Sequence, residues 1–153
     1  MKKIFILKGK NDTGKTIKIN RIAEWIINNH GATNTINFDS NDLKNDINGV
    51  LEVSNLTIGI NSSGDNLMEV RKIERLKSEI GEYPDILLCA CRTKGKGRKY
   101  IDNNFNYSKG WLKIYIDVKE HNSASTEKQM IRDERIIAEM QAWLTGLKKI
   151  ENY

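Results

Sequence analysis

Apolar residues in this chain fall into two alternating patterns: short unbroken runs, and longer stretches in which they recur every three or four positions. Residues 3–8 carry Ile4, Phe5, Ile6 and Leu7 without a break and stop at Gly9, which predicts a buried strand. Between Lys15 and Asn29, Ile19, Ile22, Ala23, Ile26 and Ile27 recur at helical spacing, and Gly31 supplies a stop signal. Residues 35–38 predict a second strand ending at Asp39 and Ser40. After a polar stretch rich in Asn and Asp, residues 50–53 and 56–60 flank Ser54-Asn55, a plausible hairpin turn. The second arm runs into Asn61-Ser62-Ser63-Gly64-Asp65, a loop signal.

Leu67, Val70, Ile73, Leu76 and Ile80 then form one helical stripe, closed by Gly81 and Pro84. Residues 86–91 are the most continuously apolar strand, and residues 111–118 read as the last one. Met130, Ile137, Met140, Leu144 and Leu147 stripe a long C-terminal helix starting near Ser125. Strands alternating with helices predict an α/β fold: a three-layer α/β/α sandwich on a mostly parallel sheet, with an antiparallel hairpin arm at an edge. The length of 153 residues fits one domain over 1–153.

The first strand, the turn after it and the following helix enclose Gly9-Lys10-Asn11-Asp12-Thr13-Gly14-Lys15-Thr16, a full G-x-x-x-x-G-K-[ST] pattern. An accidental match in a chain of this length is on the order of 1 in 100, and the strand-to-helix setting narrows that further. The two glycines permit positive φ and let the backbone approach phosphate oxygens. Successive N–H groups at a helix N-terminus form an anion nest. Lys15 would reach the β- and γ-phosphates, and the Thr16 hydroxyl would ligate Mg²⁺.

On these residues the first thirty positions resemble the P-loop NTPase superfamily. The resemblance implies binding of Mg-ATP or another NTP and phosphoryl transfer to water or to an acceptor. It gives the phosphate-binding roles to Gly9, Gly14, Lys15 and Thr16, and backbone contacts to Lys10, Asn11, Asp12 and Thr13. Asp12 departs from the usual small neutral loop residue, so its carboxylate has to point away from phosphate.

Such proteins usually hold Mg²⁺ through an acid at the end of another strand. The apolar strand 86–91 ends instead in Arg92, and Asp85 lies at its wrong end. Asp39, Asp65 and Asp117 are the substitutes. Asp65 is preferred as metal ligand or γ-phosphate sensor, with N-capping of the next helix as the equal alternative. Asp39 is a second metal candidate, a turn cap, or a base toward an acceptor.

Arg92, Lys94, Lys96, Arg98 and Lys99 crowd one glycine-containing segment. It reads as a lid bringing Arg92 or Arg98 to the transferring phosphoryl group, as a nucleic-acid contact, or as a solvated basic loop. Aromatic interleaving is missing apart from Tyr100, which disfavours nucleic acid. The net charge of +5 decides nothing by itself. The guanine-reading Asn-Lys-x-Asp pattern is absent, leaving ATP as the default; Lys119, Glu120, His121 and Asn122 could border the base. His30 reads as a surface residue.

Cys89 and Cys91 share one face of a strand and read as buried thiols, which points to a reducing, cytoplasmic setting. No run is long enough to span a bilayer. Three functions follow: an ATP-dependent kinase-like phosphotransferase or hydrolase using Lys15, Asp65, Arg92 and Arg98; a nucleotide-dependent switch with little turnover; or, weakest and resting on net charge alone, a basic nucleic-acid-binding protein. In the switch, Met130, Met140, Trp143 and Leu147 would form an association surface, for a protein partner or a homodimer. Ordinary packing on the sheet is the alternative for that stripe.

Overall fold

A computed structural model of the chain describes residues 1–10, 14–30, 32–36, 45–118 and 126–151. It divides into two compact units, Met1–Lys119 and Glu120–Tyr153. In the first, the elements run β1 (Lys2–Lys8), α1 (Lys15–His30), β2 (Thr33–Ile36), β3 (Asn48–Val53), β4 (Leu56–Asn61), α2 (Leu67–Val70), α3 (Ile73–Ile80), β5 (Ile86–Cys91), α4 (Lys96–Asn104), a 3₁₀ turn at Tyr107–Lys109, and β6 (Trp111–Asp117). The second unit holds α5, Thr126–Glu151. Among the described residues no helix is long and apolar enough to cross a membrane.

The six strands form one sheet in the order β2-β3-β4-β5-β1-β6. Strands β4, β5, β1 and β6 pair in parallel, while β3 runs antiparallel to both β2 and β4. The α/β architecture with a mostly parallel sheet and an antiparallel arm is therefore present. The antiparallel strand is not at the edge, however: β2 pairs outside it and takes that place. A hairpin pattern fixes which strands are neighbours but not whether a further strand adds beyond them.

The unbroken apolar runs have a direct cause. All of β5, and Ile4 to Leu7 of β1, are buried, because helices cover both faces of the sheet. The register sets Ile4 and Ile6 beside Leu87 and Cys89. These four pack with Val70 of α2, Ile73 and Leu76 of α3, and Ile101 of α4. The alternate positions, Phe5, Leu7, Leu88 and Ala90, point to the other face, where α1 buries Ile19, Ile22, Ala23 and Ile26. Each buried isoleucine contributes about 1.5–3 kcal/mol by leaving water.

Three predicted elements differ. The single stripe from Leu67 to Ile80 is two helices, broken at Arg71-Lys72. The basic segment after β5 is only partly loop: Lys96, Arg98 and Lys99 lie in the first turns of α4. Its sequence hides the helix because Gly95 caps it, Gly97 lies in its first turn, and it carries one buried residue, Ile101. The second strand, Thr33–Ile36, starts two residues before the expected position 35, and residues 37 and 38 of the expected strand lie outside the described residues.

Candidate functional site

The loop after β1 opens at Gly9, whose N–H donates to Cys91 O at 3.1 Å, tying it to the end of β5. It closes at Gly14, which takes φ +82°, a left-handed conformation that favours glycine. Asn11, Asp12 and Thr13 lie outside the described residues. Helix α1 starts at Lys15 with no acidic residue in its first turn. Two lysines of this turn are buried instead: Lys15 is 5% exposed and Lys18 only 1%. Lys15 Nζ donates to Gly9 O at 2.6 Å and Lys10 O at 3.2 Å, the carbonyls that begin the loop. Lys18 Nζ lies 3.5 Å from Gly14 O. Buried ammonium groups at the positive end of a helix dipole oppose the dipole, and an anion bound there relieves both.

The Thr16 hydroxyl faces the loop after β4. Its Oγ1 lies 3.0 Å from Asp46 Oδ1 and 3.2 Å from Ser62 O, both acceptors for its proton. Asp46 precedes β3 and was not legible as a site residue, since nothing in its Asn- and Asp-rich surroundings sets it apart. It is held from both sides. Asn20 Nδ2 donates to Asn45 O at 2.7 Å, and Ile47 N donates to Ser62 Oγ at 2.6 Å. Thr16 and Asp46 together present hard oxygens that fit Mg²⁺, which takes one or two protein carboxylates and completes its shell with phosphate and water. Among the described residues no group of three or more His, Cys, Asp or Glu side chains gathers as a metal cage.

The strand end nearest Thr16 is thus that of β4, and it carries neutral residues. Asn61 is fully buried; its Nδ2 donates to Glu69 O at 3.1 Å and its Oδ1 accepts from Asn48 Nδ2 at 3.2 Å. It joins β3, β4 and α2. Asp65 follows four residues later, with its side chain 63% exposed and Oδ1 3.9 Å from Lys15 Nζ. It is not the N-cap of the next helix. Asn66 is, accepting from Glu69 N at 2.9 Å. The loop is pressed down by Gly64, where an added Cβ would lie 2.1 Å from Ala90 O.

The remaining residues scatter. Arg98 is anchored on α4: its Nη1 donates to Thr93 O at 2.7 Å, its Nε lies 3.7 Å from Asp102 Oδ2, and its guanidinium sits 4.9 Å from the Tyr115 ring centroid. Arg92 is exposed beside the cavity formed by the loops after β4 and β5. Asp117 at the end of β6 pairs with Lys8 at 3.3 Å. Asp85 accepts from Thr57 N and Thr57 Oγ1 at the opposite end of the sheet. Asp39 and residues 119–122 lie outside the described residues. Cys89 and Cys91 are free buried thiols. Burial pushes the Cys91 thiol up to about 11, although Lys15, Arg98 and Lys8 pull the other way. Burial raises Cys89 further. Neither is a nucleophile near neutral pH.

No family model, curated protein or solved structure matches this chain.

Proposed function

We propose that residues 9–16 cradle the triphosphate of Mg-ATP or another NTP, and that the protein is a cytoplasmic P-loop enzyme that transfers or hydrolyses the terminal phosphoryl group. One observation carries this reading: two buried lysines, Lys15 and Lys18, sit in the first turn of α1, where the helix dipole already favours an anion. The glycine at positive φ before them and the Thr16–Asp46 pair beside them supply the rest of a phosphate and Mg²⁺ site. Bound Mg²⁺ would neutralise charge between the β- and γ-oxygens, held by Thr16 and Asp46. Lys15 would leave the Gly9 and Lys10 carbonyls for phosphate oxygen.

Titration with a fluorescent ATP analogue and Mg²⁺ tests it. The wild type binds saturably, and Lys15→Ala removes binding while leaving the melting temperature within a few degrees. Equal binding by both proteins would sink the proposal.

A second reading, a nucleotide-dependent switch with little turnover, is favoured by Asn61. The strand end beside Thr16 offers a buried amide engaged in holding β3 and α2, not a carboxylate. Tight binding with no release of phosphate, alone or with acceptors, would select it.

A further inference from the structure

A cavity of about 530 Å³ opens beside Asp65. Its walls come from the two segments that follow β4 and β5, each a loop and the start of a helix: Gly64, Asp65, Leu67 and Met68 on the β4 side, and Arg92, Lys94, Gly95 and Lys96 on the β5 side. The size lies in the range of small-molecule sites. Its chemistry is divided. One wall offers the apolar side chains of Leu67 and Met68, the latter 70% exposed, beside Asp65. The other carries three cationic side chains and the start of α4, whose cap residue Gly95 offers no side-chain hydrogen bond. Among the described residues neither Lys94 nor Lys96 has an ion-pair partner. The two sides are joined where α4 packs on α2: at Gly97 an added Cβ would lie 2.9 Å from Val70 Cγ2.

Asp65 belongs to two places. It lines this cavity, and its Oδ1 is 3.9 Å from Lys15 Nζ. Since Asp46 already faces Thr16, Asp65 is left for another task. We infer that the cavity is the acceptor site of the proposed phosphotransferase and takes a small anionic alcohol, its phosphate or carboxylate on Arg92, Lys94 and Lys96 and its carbon skeleton on Leu67 and Met68. The inference rests on nucleotide binding at residues 9–16. In the transfer, the acceptor hydroxyl oxygen bonds to the γ-phosphorus and its proton passes to the Asp65 carboxylate. The bond from γ-phosphorus to the β–γ bridging oxygen breaks, and the nucleoside diphosphate leaves with that electron pair.

The test uses the full chain saturated with a non-hydrolysable Mg-ATP analogue, which first reports whether the nucleotide reading stands. Inorganic phosphate is then titrated while backbone amide NMR shifts of Gly95 and Gly97 are followed, with acetate as the carboxylate probe. Saturable shifts are expected from one or both anions. The variant K94E/K96E should weaken them by about tenfold or more. Acidic residues at a helix N-terminus do not endanger folding of this variant. If the analogue binds but neither anion moves these amides, or the variant responds like wild type, the acceptor site is overturned while the nucleotide site remains. If only a single-stranded oligonucleotide moves them, the small-molecule assignment is overturned as well. Failure of the analogue to bind overturns both.

Discussion

The two edges of the central sheet use the same residue types toward opposite ends. At the amino edge, Asp85 is fully engaged. It accepts from Thr57 N at 2.9 Å and Thr57 Oγ1 at 3.1 Å, its own N–H donates to Thr57 Oγ1 at 3.0 Å, and Lys2 lies 3.8 Å away. Around it Tyr83, Phe105 and Trp111 meet edge to face, with centroids 4.9–5.7 Å apart. At the carboxyl edge, Asp65 is mostly exposed, Asp46 accepts from the Thr16 hydroxyl, and Lys15 and Lys18 are buried against backbone carbonyls. One edge satisfies its charges internally. The other buries two lysines at a helix start, at the carboxyl ends of the strands where ligands sit in open α/β sheets, and the proposed nucleotide site rests on that difference.

The sharpest way to break this contrast is at Lys15. Replacing it with alanine should cost roughly 100-fold or more in nucleotide-dependent turnover, read as phosphate release, with little change in melting temperature. A loss of stability without loss of binding would place Lys15 with the amino edge. The converse experiment is Trp111→Ala. Emptying that aromatic cluster should cost about 3–5 kcal/mol in urea unfolding, while the folded fraction keeps its nucleotide affinity.

Matched carboxylate substitutions compare the edges directly. Asp46→Asn should raise the Mg²⁺ concentration needed for half-maximal nucleotide binding about tenfold and leave stability nearly unchanged. Asp85→Asn should cost about 1 kcal/mol of stability with no change in Mg²⁺ dependence. If both variants moved the same quantity, the two edges would not be functionally distinct.

The smallest effect concerns Cys91. Its thiol ordinarily titrates near 9 and is pushed up to about 11 in the fold. Above pH 9 the unfolded chain loses this proton while the folded chain keeps it, so stability falls between pH 9 and pH 11. Cys91→Ser should make that fall shallower, with Cys89 supplying what remains. A thiol reagent at pH 8 should label neither cysteine until the chain is unfolded.

The legible parts were those whose physics is local. The runs around Ile4 and Leu87 specified buried strands, and Ser54, with φ +54°, forms the hairpin turn that its neighbours imply. The Gly9 to Thr16 pattern located Lys15 because its spacing puts that residue on the first turn of a helix, while the buried Lys18, outside the pattern, was not singled out. What stayed hidden depends on pairing across the chain. Asp46 becomes a neighbour of Thr16 only once β3 is zipped to β4 and Ser62 is bonded to Ile47. Asp65 was the residue read as a cap, and the actual cap, Asn66, lies one residue of register away. The basic segment resembled a loop since charge and glycine masked the helix running from Lys96 to Asn104.

Gly64 carries a consequence for how this sequence can change over generations. An added methyl there would collide with the Ala90 carbonyl at 2.1 Å, and the obstacle is backbone, which no neighbouring mutation can trim away. A lineage could lose Asp65 or Lys94 by single steps, yet position 64 admits one residue in any of them. When sequences of descent are gathered, Gly64 should persist even in copies that have given up the lysine at position 15.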